Sequence, residues 1–285
     1  MSGGIAYALA ALVCYGIGDL IYKRAAAAGL KPEYFLMVQA WCFCPAILFY
    51  AWGTGNLHLE PAALWGCLAG LFVLVGFYNY VRSLRVGAVS IVAPVFRLNF
   101  IITAALAILW LSEPLTASKA AGFLLALLAA WLLLGGAAPL GSADPLLARR
   151  PLLQVTLATL AVGVANFCYK LGLIAGATPE TMLAAQAVVF SSLLTATTFA
   201  VNGTIRPARG LFRHSLPAAI VLVAASLFLL HGLQRGDASV VVPIAQMGFV
   251  IAAVLGIAFF GETLSLRKIA GLCVATAALA ALTLG

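Results

Sequence analysis

Charge is what this sequence has least of. Only 8% of its 285 residues are Asp, Glu, Lys or Arg, against about a quarter in an ordinary soluble domain. A chain that is also 64% hydrophobic would expose large sticky patches in water and aggregate. Lipid is therefore the expected solvent for most of it. Carboxylates are scarcest, with eight Asp and Glu in all. No HExxH or GxSxG occurs, so metalloprotease and nucleophile-elbow hydrolase chemistry have no foothold. The six cysteines (Cys14, Cys42, Cys44, Cys67, Cys168 and Cys273) lie in apolar segments without metal-ligand spacing to histidine. No metal or cofactor is expected. A basic run with interleaved aromatics is also missing. The formal charge of +8 therefore fits loops beside an anionic leaflet and not nucleic acid. The first apolar segment lacks a basic leader and reads as a retained helix.

The scarcity of carboxylates also weighs on the one enzyme-like motif. "YGIGDL" contains GxGD at Gly16–Asp19, a pattern similar to that of intramembrane aspartyl proteases. That chemistry needs two carboxylates, one as acid and one as base. The other aspartates are Asp144, in a polar gap, and Asp237, at a helix start, and neither follows a tyrosine. The expectation is that the chain is not an enzyme. The protease, and a non-transporting membrane scaffold or receptor, stay as distant alternatives.

What the sequence has in abundance is long apolar runs. Breaks in hydrophobicity predict ten helices: 3–22, 34–52, 62–81, 88–111, 117–135, 153–170, 180–201, 216–233, 238–260 and 266–284. Each is near the ~20 residues that cross a bilayer. The stretch "GAAPLGSADPLLARRP" reads as a linker. It divides the chain into 1–136, 137–152 and 153–285. The two outer parts are alike. A shift of 149 puts Gly87 on Gly236, Ser90 on Ser239, Pro94 on Pro243, Glu113 on Glu262 and Lys119 on Lys268. Near the amino end the shift is 147, pairing Tyr22 with Tyr169, Lys23 with Lys170 and Gln39 with Gln186. Five helices per repeat is an odd number, so the second repeat enters the membrane from the opposite side. The expected fold is an all-α integral membrane protein of ten transmembrane helices in two inverted five-helix repeats. Inverted repeats are a signature of secondary transporters, with the substrate near the midplane between the halves.

The stretches "SIVAPVFRLNFIITAALAILWLSEPLTASKAAG" and "SVVVPIAQMGFVIAAVLGIAFFGETLSLRKIAG" share an early proline, a distal glutamate, and a following helix opened by Thr or Ser. In these features the chain resembles the drug/metabolite transporter superfamily, in its ten-helix EamA-type branch, over essentially its whole length. The resemblance implies transport of small organic solutes, with efflux favoured over uptake, and a multi-pass location in a bacterial inner membrane. Four-helix multidrug relatives carry a membrane carboxylate eight residues before the lysine that Lys23 and Lys170 resemble. Here those positions are Tyr15 and Val162, which speaks against proton-coupled drug export by that carboxylate.

The candidate site rests on charges placed where lipid should be. Arg97 falls inside the fourth helix, where a guanidinium costs about 2.5–3.5 kcal/mol on insertion scales. A wet cavity and an anionic substrate group would offset that; a structural ion pair would do so too. Asp19 is its natural partner, with a local pairing to Lys23 as the competing reading. In the repeat, Asp19 corresponds to Asn166 and Arg97 to Gln246. All four positions are polar, and only the first half is charged. Gln39, Gln186 and Tyr15 complete the expected substrate-binding set, and Pro94 and Pro243 are candidate kinks or gates. Asn99 points elsewhere on its helix. The tyrosines near helix ends fit interfacial anchors. Glu113 and Glu262 fit helix-end caps, and "GCLAG" at Gly66–Gly70 fits close helix packing. The partners implied are a small polar metabolite, anionic or zwitterionic, the bilayer, and a proton or counter-substrate as coupling species. Organic cations or drugs are the alternative cargo, and the oligomeric state stays open. Finally, the loops after helices one, three, five, seven and nine hold twelve Lys and Arg and the opposite loops three. The basic loops are thus expected in the cytoplasm and both termini outside.

Overall fold

The computed structural model describes residues 2–86, 95–134, 145–207, 210–260 and 265–284. Among them every regular element is helical. α1 spans Ser2–Ala27, α2 Pro32–Gly53, α3 Leu64–Val86, α4 Asn99–Trp110 and α5 Ala117–Leu134. The second half supplies α6 Pro145–Ile174, α7 Pro179–Asn202, α8 Leu211–Arg235, α9 Ala238–Gln246, α10 Gly248–Phe260 and α11 Leu266–Leu284. α9 and α10 are two pieces of one span, interrupted at Met247. Among the described residues eight spans are long and apolar enough to cross a membrane, and the shorter apolar helices Val95–Trp110 and Ala117–Leu133 bring the total to ten.

Local chemistry repeats between the halves. Gly29 and Gly176 take left-handed backbone (φ 70° and 101°) after the first helix of each repeat, where a side chain would be strained. Extended Lys31 and Thr178 then lead into Pro32 and Pro179 at the first helical positions, where a missing N–H removes nothing. Glu33 and Glu180 sit in the first turns, on the favourable side of the helix dipole. Thr178 adds a side-chain cap, accepting from the Thr181 N–H at 3.1 Å.

One boundary differs from the sequence expectation. The sixth helix begins at Pro145, not near 153, so the last eight residues of the expected linker are helical. Pro145 suits a first helical position, and "LLARR" after it consists of strong helix formers.

The repeats are interlocked. α3 packs on α6 and α7, and its counterpart α8 packs on α1 and α2. α4 lies on α6, and α9 and α10 lie on α1. α5 and α11 pack on each other at the periphery. Glycines let the crossings approach closely. A Cβ at Gly66 or Gly70 would come within 2.6 or 2.8 Å of the Met182 or Gln186 carbonyl oxygen on α7, so "GCLAG" is a packing motif that seats Gln186. Large apolar side chains such as Phe49, Leu109, Leu124, Phe199 and Ile220 point outward and are mostly exposed; lipid is the medium that accepts such a surface. Trp52, Trp110 and Trp131 lie near helix ends, at the level of aromatic belts.

Candidate functional site

The site grows out of two helix interruptions. In α9–α10 the Met247 N–H bonds the Ile244 carbonyl at 3.1 Å, and the Val250 N–H bonds that of Met247 at 2.9 Å. In the first repeat, Leu98 to Val95 at 3.0 Å and Ile101 to Leu98 at 2.9 Å do the same. Leu98 and Met247 are 149 residues apart, so the repeats break their fourth helices at equivalent points. Three-residue bonding of this kind inside a helix marks a hinge or a strained site. Pro243 is buried within α9, and the interruption falls four residues after it. Pro94 lies outside the described residues.

Arg97 and Gln246 immediately precede the two interruptions, and they meet. Arg97 Nη1 donates to Gln246 Oε1 at 3.3 Å, and Nη2 donates to Asp19 Oδ2 in a direct ion pair. α1 can bring Asp19 there because it is notched. A Cβ on Gly16 would sit 2.5 Å from Ile251 Cβ and 2.6 Å from the Gly248 carbonyl oxygen. The second half copies the crossing: a Cβ on Gly163 would sit 2.5 Å from Ile102 Cβ and 2.8 Å from the Asn99 carbonyl oxygen.

Two further polar pairs are related by the repeat. The Tyr22 hydroxyl donates to Gln39 Oε1 at 2.8 Å, and the Tyr169 hydroxyl donates to Gln186 Oε1 at 2.9 Å. Gln39 Nε2 is buried with no protein partner. Asn166 Nδ2 approaches Asn99 Oδ1 at 3.5 Å, and Asn99 Nδ2 donates to the Phe96 carbonyl at 2.8 Å.

All seven residues expected to bind substrate (Arg97, Gln246, Asp19, Asn166, Gln39, Gln186 and Tyr15) line a single cavity of about 330 Å³. Its remaining wall is mostly apolar and aromatic, with Phe43, Phe77, Phe96 and Phe190. Toward the α1–α2 turn the lining reaches Ala25, Leu30 and Phe35. The lining also holds polar residues outside the expected set: Asn99, read from sequence as pointing elsewhere, Tyr22 and Tyr169, whose reading as aromatic contacts ranked below that as interfacial anchors, and Tyr80 and Ser226, which no sequence signal singled out. Tyr22 and Tyr169 were the most findable. Each lies 17 residues before its glutamine in both repeats, and that repeated Tyr–Gln spacing was a signal.

Known proteins share this arrangement of helices. The sequence matches the EamA-like transporter family over residues 2–135 and again over 149–284. The chain belongs to the EamA-like transporter family. An uncharacterized protein of Methanocaldococcus jannaschii is 37% identical over 59 residues, which is 21% of this chain and 43% of that protein. A solved crystal structure superposes with a TM-score of 0.84 at 17% identity, covering 100% of this chain and 97% of the other; at that identity the likeness shows the fold. The family is one of transporters and not of enzymes. Asp237 is bound to Lys119, and Asp144 lies outside the described residues.

In this EamA-like transporter the membrane face that carries the amino terminus is tied together by charge. Lys119 is fully buried. Its Nζ donates to Asp237 Oδ2 at 2.9 Å, the Pro114 carbonyl at 3.0 Å and Ser239 Oγ at 3.4 Å. Glu113 does cap a helix, but one in the other repeat. Its oxygens accept from the Ala238 and Ser239 N–H groups at 2.8 and 2.9 Å, at the start of α9. Lys170 Nζ donates to the Leu233 and Gly236 carbonyls at 2.8 and 2.7 Å, closing the end of α8. His231 Nε2 lies 3.2 Å from Glu180 Oε1. From sequence, a lysine beside a helix start reads as a surface charge; the fold buries Lys119 completely.

Proposed function

We propose that this transporter moves a small polar organic metabolite, anionic or zwitterionic, such as an amino acid or a related metabolite, by alternating access. The observation that carries the reading is Arg97 at a helix interruption, facing a cavity between the repeats with Gln246 and Asp19 as its partners. An intramembrane guanidinium that lines a cavity between inverted repeats supports a substrate path, and its charge favours an anionic group. The carboxamides of Gln39 and Gln186, oriented by tyrosine hydroxyls, offer N–H donors to a second polar group of the substrate. The aromatic wall supports an apolar moiety on the same molecule. The interrupted helices supply the movable elements, and a proton or a counter-substrate supplies the coupling.

The test is Arg97→Gln. Transport in proteoliposomes should be abolished, with expression and melting temperature near those of the wild type. A collapse of folding that is rescued by adding Asp19→Asn would instead make the pair structural, because the double mutant isolates the interaction. Asp19 among aromatic side chains favours a second reading, transport of organic cations. In that case Asp19→Asn abolishes transport and Arg97→Gln does not.

A further inference from the structure

The charges of the cavity are one of each sign: Arg97 is the cation and Asp19 the anion among its lining residues. Both terminal nitrogens of Arg97 are already engaged, Nη1 by Gln246 and Nη2 by Asp19. The guanidinium keeps further N–H donors, so an anionic substrate group that reaches it either joins or displaces the Asp19 carboxylate, and in both cases two carboxylates face one cation. Among the described lining residues Asp19 then has no second cation to pair with. Tyr15 and Tyr22 flank it on α1, and the other polar lining groups, among them Tyr80, Tyr169, Asn166, Gln39, Ser226 and Gln246, are uncharged. Tyr22 and Tyr169 already donate to glutamine oxygens, and none of these groups carries a compensating positive charge. Two carboxylates beside one guanidinium within a largely apolar wall repel each other, which favours protonation of one of them.

We infer that substrate binding is coupled to proton uptake by Asp19: the substrate's anionic group displaces the Asp19 carboxylate from Arg97, and the displaced carboxylate takes one proton from water. This rests on the reading that Arg97 receives an anionic group. The balance is simple. A proton adds to an Asp19 carboxylate oxygen, the Arg97–Asp19 ion pair is exchanged for an Arg97–substrate ion pair, and no other bond changes. The site's net charge then rises by the substrate's own charge plus one. A monoanion therefore crosses electroneutrally, in the same direction as its proton. Release reverses the exchange: as the substrate leaves Arg97, Asp19 returns to it and gives up the proton on that side. Asp19 and Arg97 thus form a coupling device and not merely a neutralised pair.

The test is titration calorimetry of the whole purified protein in two buffers of different ionisation heat. The probes are L-phenylalanine, 3-phenylpropionate, which lacks the ammonium, and 2-phenylethylamine, which lacks the carboxylate. Expected is uptake of about one proton per bound carboxylate probe, with affinity weakening about tenfold per pH unit over the range where uptake is complete. Asp19→Asn should bind the carboxylate probes without proton uptake and with affinity flat in pH. The wild-type buffer comparison stands even if that variant folds poorly. Carboxylate binding with heats independent of buffer and affinity constant from about pH 5.5 to 8.5 overturns the coupling and leaves the anion site intact. Carboxylate binding unchanged in Arg97→Gln, failure of both carboxylate probes to bind, or binding of 2-phenylethylamine alone overturns the reading underneath and the coupling with it.

Discussion

Glu113 of the first repeat caps α9 of the second, its Oε1 accepting from the Ala238 N–H at 2.8 Å. A carboxylate that receives two backbone N–H groups at a helix start is stabilised by charge-assisted hydrogen bonds and by the helix dipole. α9 is also the helix that ends at Gln246. The contact therefore joins closure of the amino-terminal face to the position of an Arg97 partner. Glu113→Ala should destabilise the protein by about 1.5–3 kcal/mol, the usual range for bonds to a charged group, read by thermal unfolding in detergent. It should also raise the accessibility of a cysteine placed beside Lys170 to a water-soluble thiol reagent. Unchanged labelling and stability would remove Glu113 from the closure.

Gly16 and Gly18 are two residues apart on α1 and should answer alanine differently. At Gly16 the new methyl meets Ile251 Cβ at 2.5 Å; at Gly18 the nearest atom is Val221 Cγ1 at 3.9 Å. Gly18→Ala should hold or raise stability, by up to about 1 kcal/mol from helix propensity. Gly16→Ala should lower it by about 1–3 kcal/mol through overpacking. It should also impair transport, because it pushes α1 and Asp19 away from α10. Equal melting temperatures for the two variants would show that the crossing is looser than these distances.

Tyr22→Phe and Tyr169→Phe remove only the hydroxyls that hold Gln39 and Gln186. Each should weaken substrate binding about threefold to tenfold, the effect of one hydrogen bond of about 0.5–1.5 kcal/mol, with the fold intact. Binding measured on both variants checks this. If neither changes affinity, the carboxamides are packing groups and not substrate donors.

The charge count of the loops predicts the orientation, against the habit of ten-helix relatives to keep both termini inside. A carboxy-terminal alkaline phosphatase fusion should be active and a green fluorescent protein fusion dark, which places both termini outside the cytoplasm. The cavity lining reaches the α1–α2 turn, on the face of the basic loops. Outward termini therefore place that reach on the cytoplasmic side. The reverse fusion pattern inverts both statements.

The sequence by itself determined the membrane class, the ten spans and the relation between the halves. These properties are carried by composition and by residue order, since a run of apolar residues has one stable solvent and an odd-numbered repeat must invert. The candidate residues were also legible, because a charge or amide in an apolar run stands out and the repeat supplied its mate. The tertiary structure decided which of them meet. Asp19 and Arg97 are 78 residues apart and Arg97 and Gln246 are 149 apart. No local pattern states that Asp19 turns to Arg97 instead of Lys23. Helix direction likewise misjudged Asn99, because the turn at Leu98 re-aims the helix beyond it. Lys119 and Glu113 looked like ordinary helix-end charges. Only the crossing of one repeat over the other buries that lysine and hands the carboxylate a helix from the opposite half. Burial and partnership across a repeat boundary are properties of packing, and packing is not written in any one stretch of the chain.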